Sequence, residues 1–475
     1  CLYRDQDFSC VQKKVFSTPK KTNKNFIEFD ANILWENIKG NLREIISQNS
    51  NIHNICISSV GESGVLVNKT GKVIGPAITW YDTRTEPQIE EVIKKIGRER
   101  IYNITGLPAH SNYGINKILW IFENCNIKNR DELKWLSMAS FIAYRLSSEM
   151  KIDYSLASRT MAFDVKNKKW SKEILDKLNI NENIMPDLVE SGEPIGNLTG
   201  EFKEYKSITV SIGGHDHMCG AIATGLFDTS GILNSTGTTE GILMLQNLPG
   251  IEGKYLDNYL SNGVYTLKEY YTLYASLPCA GLSFEWMKNI FFNKSDSFDD
   301  IFKKLENIDC EDLIYIPHLR GSGPPSRYTW TRGNIYGIKD TSTKYDISRA
   351  ILEGVCFEFK MLYLSMSQSL NIKPQTIKVI GSAARNPLWL QLKADMLNLK
   401  VEAYEIEEAV SKGAALLGAY KSHNIGLEDI KNLARKDIVC FNPSYKKAKL
   451  YNEKFNTLFK KVYHASIEVG NYNRR

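Results

Sequence analysis

The sequence has no Cys-x-x-Cys pair, no apolar run approaching the ~20 residues that cross a bilayer, and no dense basic block with interleaved aromatics. Each absence removes a class of protein. The cysteines, at positions 1, 10, 56, 125, 219, 279, 310, 356 and 440, are scattered and odd in number, which fits reduced thiols rather than a disulfide framework. The net charge of +6 is spread over many lysines, so neither nucleic acid nor a membrane is an expected partner, although the positive field favours anionic nucleotides. The charged opening CLYRDQDF is unlike a signal peptide. A cytoplasmic protein is therefore expected. Residue 1 is Cys rather than Met, so an upstream segment is expected to be missing. Low-complexity tracts and internal repeats are also lacking.

What is present is material for large cores. A chain of 475 residues, 43% hydrophobic and 24% charged, exceeds what one core usually covers, and at least two domains of roughly 200 residues are expected. The organising stretch is SITVSIGGHDHMCGAIATGLFDTSGILNSTGTTEGILML, from Ser207. Its alternating Ile208, Val210 and Ile212 predict a strand that stops at Gly213 and Gly214, with Asp216 just beyond the tip and a helix over 218–226. A carboxylate at such a junction faces the cleft outside the carboxyl ends of a sheet; it also reads as a plain helix N-cap. His215 and His217 flank it, but residues two apart diverge on a helix and no third ligand is evident, so no metal ligand is assigned. Further on, the hydroxyls of Ser235, Thr236, Thr238 and Thr239 surround Gly237 between two apolar runs, a turn rich in donors for phosphate.

Elsewhere, periodicity predicts a helix from about Asp30, a strand over 52–59, a hairpin around Asn68 to Gly71, and helices over 87–97, 115–123, 131–146 and 171–178. The hairpin is not a P-loop, since the leading Gly and the Ser/Thr after Lys72 are absent. The second half offers strands within 263–277, a helix from Gly281, a helix over 298–305, a long helix from Asp346, a strand over 377–380 closed by Gly381 and Ser382, and helices from Pro387 and over 410–420.

Taken in order, these segments resemble the FGGY family of carbohydrate kinases, within the actin-like ATPase superfamily. GNIYGI at 333–338 runs on into Asp346, Ile347, Ala350, Ile351, Leu352 and Glu353 at the spacing of one family signature. KILWIFEN at 117–124 keeps part of a second, with Asn112 and Gly114 departing upstream. Residues 76–85, 152–170 and 380–397 resemble further family blocks. The resemblance implies an α/β fold of two actin-like ATPase (ribonuclease H-like) domains flanking a central cleft, with an N-terminal domain over 1–229 and a C-terminal domain over 230–475. It implies ATP-dependent phosphorylation of a sugar or polyol hydroxyl, with Mg²⁺, and leaves a homodimer open. Asp216 matches the catalytic base. Glu62, Ser63, Trp80, Asp82, Asn112 and His217 fall on sugar-binding positions, although Asp82 also reads as a surface partner of Arg84. Thr236, Gly237 and Thr238 match the phosphate segment, and Gly281, Glu285, Gly381, Ser382 and Asn386 match positions along the nucleotide.

Besides Asn112 and Gly114, the sequence departs from the family at four further places. Gly61 stands where glycerol kinases carry Arg, Ser63 where xylulose kinases carry His, and Ser382 where a second Gly is usual. The family's opening Asp-x-Gly-Thr-Thr segment has no counterpart in residues 1–28. Its lack predicts an unpaired sheet edge, and the alternative function it raises is a catalytically impaired nucleotide-binding sensor.

Overall fold

The computed structural model describes residues 1–23, 26–310, 312–422, 425–434 and 438–472. In the N-terminal half, β1 (Asn54–Ser59) and β2 (Gly64–Val67) are joined by the Gly61 to Ser63 turn, and α1 (Gly114–Asn124) packs on the same core. The strands β3 (Pro194–Asn197) and β4 (Thr209–His215) complete a sheet in the order β3-β4-β1, in which β4 runs parallel to β1 and antiparallel to β3. β4 leads directly into α2 (Asp216–Ala223).

The C-terminal half is built on a seven-stranded sheet. Its strands are β5 (Gly231–Thr236), β6 (Glu240–Gln246), β7 (Ser261–Val264), β8 (Tyr271–Leu277), β9 (Thr376–Gly381), β10 (Lys400–Tyr404) and β11 (Ile438–Phe441), in the order β7-β8-β6-β5-β9-β10-β11. The β5-β9-β10 centre is parallel and both flanks are antiparallel. Helices α3 (Gly281–Phe291), α4 (Lys344–Leu370) and α5 (Pro387–Leu397) share its core, while α6 (Ala409–Lys421) lies against α2, β1 and β4. α4 begins with a capping box: Thr343 Oγ1 takes the Asp346 amide while the Asp346 carboxylate takes the Thr343 amide. Asn386 caps α5, with Pro387 at its first position.

Two expectations from periodicity are corrected. The segment 131–146 is a strand, Lys134–Ser137, followed by a helix, Met138–Ser147. Trp135 and Leu136 pair with β2 across about 70 residues, a partnership that local periodicity cannot register. β4 does not stop at its glycines but runs through Gly213 and Gly214 to His215. Those glycines permit close approach: a Cβ on Gly213 would lie 3.0 Å from Ala414 Cβ, and one on Gly214, whose φ is +112°, only 2.5 Å from Ser155 Oγ. Among the described residues β1 ends its sheet, and it lines a cavity of about 390 Å³ together with residues of 1–16 and α6.

The halves meet through α2 and α6. A Cβ on Gly413 would stand 1.7 Å from the Cys219 carbonyl oxygen, and one on Gly418 2.3 Å from Asn54 Oδ1, so α6 lies against both α2 and β1. Tyr102 forms a second junction, its hydroxyl donating to the Leu260 carbonyl at 2.7 Å. Gly413→Ala therefore overpacks a contact made of backbone. We expect it to cost about 1–3 kcal/mol, read as a fall in thermal midpoint. Gly40→Ala, in the middle of a helix with nothing within 4 Å, should instead raise stability by about 0.5–1 kcal/mol.

Candidate active site

Asp216 is the first residue of α2, and the N-cap is His215, whose Nδ1 accepts the His217 amide. The β4-to-α2 junction is fixed from behind: the His215 amide donates to Ser155 Oγ at 2.9 Å, and Ser155 Oγ in turn donates to the buried Asp153 at 2.5 Å. Asp216 Oδ1 takes the His217 amide at 2.7 Å and lies 2.9 Å from His215 Nδ1. Burial works to raise the Asp216 carboxyl, but His215, His217 and the amide outweigh it and hold it well below the usual range. Burial, by contrast, lowers His217 and favours its neutral form.

Across the gap lies the hydroxyl turn. Asp216 and His217 share one cavity of about 420 Å³ with Ser235, Thr236, Gly237, Thr239 and Gly381. The turn is fastened to α3, because the Gly281 amide donates to the Gly237 carbonyl at 3.0 Å and the Leu282 amide to Thr238 at 3.2 Å. Gly281 is required there, since a Cβ would be 2.5 Å from the Gly237 oxygen, whereas Gly237 itself faces open space. Gly381, at φ +93°, abuts the Thr236 carbonyl, which a Cβ would approach to 2.1 Å. The Ser382 hydroxyl donates to that carbonyl at 3.4 Å. Beneath the turn a fully buried pair, Glu240 and Lys393, is shared with Asn234, whose Oδ1 takes the ammonium at 2.6 Å. Glu285 and Thr238 are exposed, and Asn386 spends its Oδ1 on the Trp389 amide.

At the other end of the cleft, Glu62 stands on the β1-β2 turn against Arg159, whose Nε and Nη2 both donate to Oε1, at 2.9 and 2.6 Å. Burial opposes ionisation of Glu62, yet Arg159 and His215 lower its pKa overall. A Cβ on Gly61 would fall 2.8 Å from the His215 ring and 3.1 Å from Arg159 Cγ, so the glycine lets Arg159 and His215 pack close to this turn. Tyr274, from β8 of the opposite half, feels Arg159, Asp216 and Glu62 together, while burial pushes its hydroxyl up to about 12. Its ring packs edge-on to His217 at 5.3 Å. Ser63 is buried beside Glu62, with an Oγ that has no partner among the described residues. Lys117 donates to the Glu62 carbonyl at 2.7 Å, and burial lowers its pKa to about 7.

The structure does not gather every expected sugar contact. Asp82 is buried, and both its oxygens are filled from within the protein: Oδ1 by the Arg84 amide and Nε, Oδ2 by Arg84 Nη2 and the Ile27 amide at 2.6 Å. With four donors on two oxygens it has no lone pair for a ligand, and its pairing with Arg84 is interior rather than superficial. Trp80 is exposed and packs edge-on to Tyr81. Asn112 is tied to His110 Nδ1 at 2.9 Å, and His110 Nε2 in turn meets Arg327 at 3.0 Å. Arg159 and Tyr274 were missed. Arg159 lay within a quoted family block without a role, and Tyr274 had no local signal at all.

Two sheets closing on a cleft, with an oriented carboxylate on one side and a glycine and threonine turn on the other, define a two-domain actin-like ATPase fold. The chain belongs to the FGGY family of carbohydrate kinases: the N-terminal domain of that family matches residues 5–223 and its C-terminal domain residues 232–422. It is thus a phosphotransferase with an alcohol group as acceptor. The xylulose kinase of Staphylococcus xylosus is 28% identical over 403 residues, which is 83% of this chain and 82% of that protein. The crystal structure of Plasmodium falciparum glycerol kinase with ADP superposes with a TM-score of 0.87 at 22% identity, covering 97% of this chain and 94% of that one. Gluconate kinase from Lactobacillus acidophilus gives a TM-score of 0.86 at 20% identity, covering 96% and 94%.

The Asp82 assignment makes a specific prediction. Asp82→Ala leaves the Arg84 guanidinium buried and short of its partner, and should cost about 3–5 kcal/mol in denaturant unfolding. A change in acceptor KM without loss of stability would restore Asp82 to the binding site.

Proposed function

We propose that Asp216 takes the proton from an acceptor hydroxyl of a ketose or polyol while the phosphates of ATP lie along the Thr236 to Thr239 turn and Gly381. The observation that carries this is the single cavity lined by Asp216 and His217 on one side and by that turn on the other. Residues 1–229 would then hold the acceptor and 230–475 the nucleotide. The free cysteines fit a reducing compartment, and the cytoplasm is where the reaction is proposed to run.

The chemistry asks little of the base. Phosphoryl transfer passes through a loose transition state, so the acceptor proton leaves late and a weak carboxylate base suffices once the oxygen is in line. A depressed carboxyl is well matched to that role, because it is always ionised and its negative charge orients the hydroxyl. Backbone amides and hydroxyls of the turn, together with the open face at Gly237, suit phosphate oxygens. Glu62 and His217 would supply polar groups for the acceptor's hydroxyls, with Arg159 orienting the Glu62 carboxylate and Tyr274 packing on the His217 ring from the opposite half.

For Mg²⁺, no group of three or more His, Cys, Asp or Glu side chains converges among the described residues. That fits an ion held chiefly by nucleotide phosphates, with Asp216 as the carboxylate this chain offers it. When bound, the ion would neutralise charge on the transferring group.

Asp216→Asn keeps the shape and removes the base, so turnover in an ADP-release assay should fall by about 10² to 10⁴-fold while ADP still raises the thermal midpoint. Turnover within a few-fold of the parent would reject the assignment. Because the Asp216 pKa lies below its ordinary value of about 4, the carboxylate loses its proton before the pH reaches that value. Turnover should therefore show no acid-side titration attributable to it between pH 5 and 8. An acid limb in that window that Asp216→Asn abolishes would contradict the pKa direction.

A further inference from the structure

His215 takes no part in the transfer itself, yet its ring stands against the base. Among the described residues it is the one side chain within hydrogen-bond reach of the Asp216 carboxylate, with Nδ1 at 2.9 Å from Oδ1. Nδ1 also faces the His217 amide, at 3.2 Å, but that amide has a shorter bond to Oδ1, at 2.7 Å. Two bare acceptors at 2.9 Å repel, whereas a hydrogen on Nδ1 turns the same contact into a charge-assisted bond. The Nδ1–H tautomer therefore satisfies the junction, and the amide's longer contact gives way to its bond with Oδ1. That oxygen is then filled by two donors, which leaves Oδ2 for an acceptor hydroxyl. The ring is held where it does this. Its backbone amide is tied to Ser155 Oγ at 2.9 Å, the His217 ring packs edge-on with centroids 5.7 Å apart, and only 14% of its side chain is exposed. Against the opposite edge of the ring lies Gly61, where a Cβ would come within 2.8 Å of both Cδ2 and Nε2. A side chain at 61 and the ring at 215 exclude each other in this arrangement, and a methyl added at 61 would press the ring against the carboxylate.

We propose that His215 is the positioning residue of the base: its Nδ1–H fixes Asp216 Oδ1, presents Oδ2 to the acceptor hydroxyl, and owes its seat to the bare backbone of Gly61. This rests on the kinase reading above. Misplacing a reacting group by about 1 Å costs on the order of 100-fold in rate. A loosened carboxylate is therefore felt in kcat, while acceptor affinity, which other side chains carry, is kept.

The test is steady-state ADP release with whichever of D-xylulose, glycerol and D-gluconate is turned over fastest. His215→Ala should lower kcat by about 10- to 100-fold, with acceptor KM within about 3-fold of the parent. His215→Asn places an amide nitrogen at the Nδ1 position and still caps the helix, so it should bring kcat back to within about 5-fold of the parent. Gly61→Ala should lower kcat by about 10-fold alone but by less than about 2-fold on top of His215→Ala, because without the ring the new methyl has nothing to press onto the base. A loss confined to KM, an Asn variant as slow as the Ala variant, or additive effects of the two alanine changes overturns the proposal. If no acceptor yields ADP, or Asp216→Asn turns over like the parent, the kinase reading falls instead. The clamp is then read by nitrogen-15 NMR of histidine-labelled parent protein, which also decides if the variants do not fold. A protonated Nδ1 at His215, bonded to the carboxylate, upholds it, and an unprotonated Nδ1 overturns it.

Discussion

The structure depends on one close contact, the seating of α6 against α2 at Gly413 and Cys219. α2 begins with Asp216, and α6 follows from the residues that border the nucleotide side of the cavity. A side chain at position 413 would separate them. Because the contact is backbone against backbone, Asp216 and the Thr236 to Thr239 turn are held in a relation set by packed helices rather than by loops.

Charge is handled differently at the two ends of the cleft. Next to the hydroxyl turn, Lys393 is spent on Glu240 and Asn234 below the strand ends, where it ties β5 to β6. The turn offers amides and hydroxyls instead, directional donors that need no counterion in the empty site. On the N-terminal side the Glu62–Arg159 ion pair is buried beside His215. Gly61 makes this possible by leaving room for Arg159 and His215, so a departure that looked like the loss of a guanidinium is accompanied by a guanidinium delivered from residue 159.

Much of this was legible in the sequence wherever the signal is local. Helix starts near Asp30, Ser171 and Ser297 were readable from local pattern, the long helix read from Asp346 begins at Lys344 behind its Thr343 cap, and the Ser/Thr turn announces itself by composition. The order of the family blocks carried the fold class. What could not be read was long-range: the pairing of Trp135 and Leu136 with β2, the passage of β4 through its glycines, and the convergence of Arg159 and Tyr274 on Asp216 from distant segments. Asp82 shows the same limit in another form. Its residue type suits a sugar contact, and only the positions of Arg84 and the Ile27 amide reveal that its lone pairs are already taken.

The central claim is that Asp216 meets the reacting hydroxyl. A crystal structure with an acceptor sugar and a non-hydrolysable ATP analogue bound together would test it most directly. The account predicts one sugar hydroxyl within about 2.6–3.2 Å of an Asp216 carboxylate oxygen, in line with a terminal phosphate resting on the Thr236 to Thr239 turn. A sugar whose nearest hydroxyl faces another base, with Asp216 turned toward solvent or buried under protein, would contradict it.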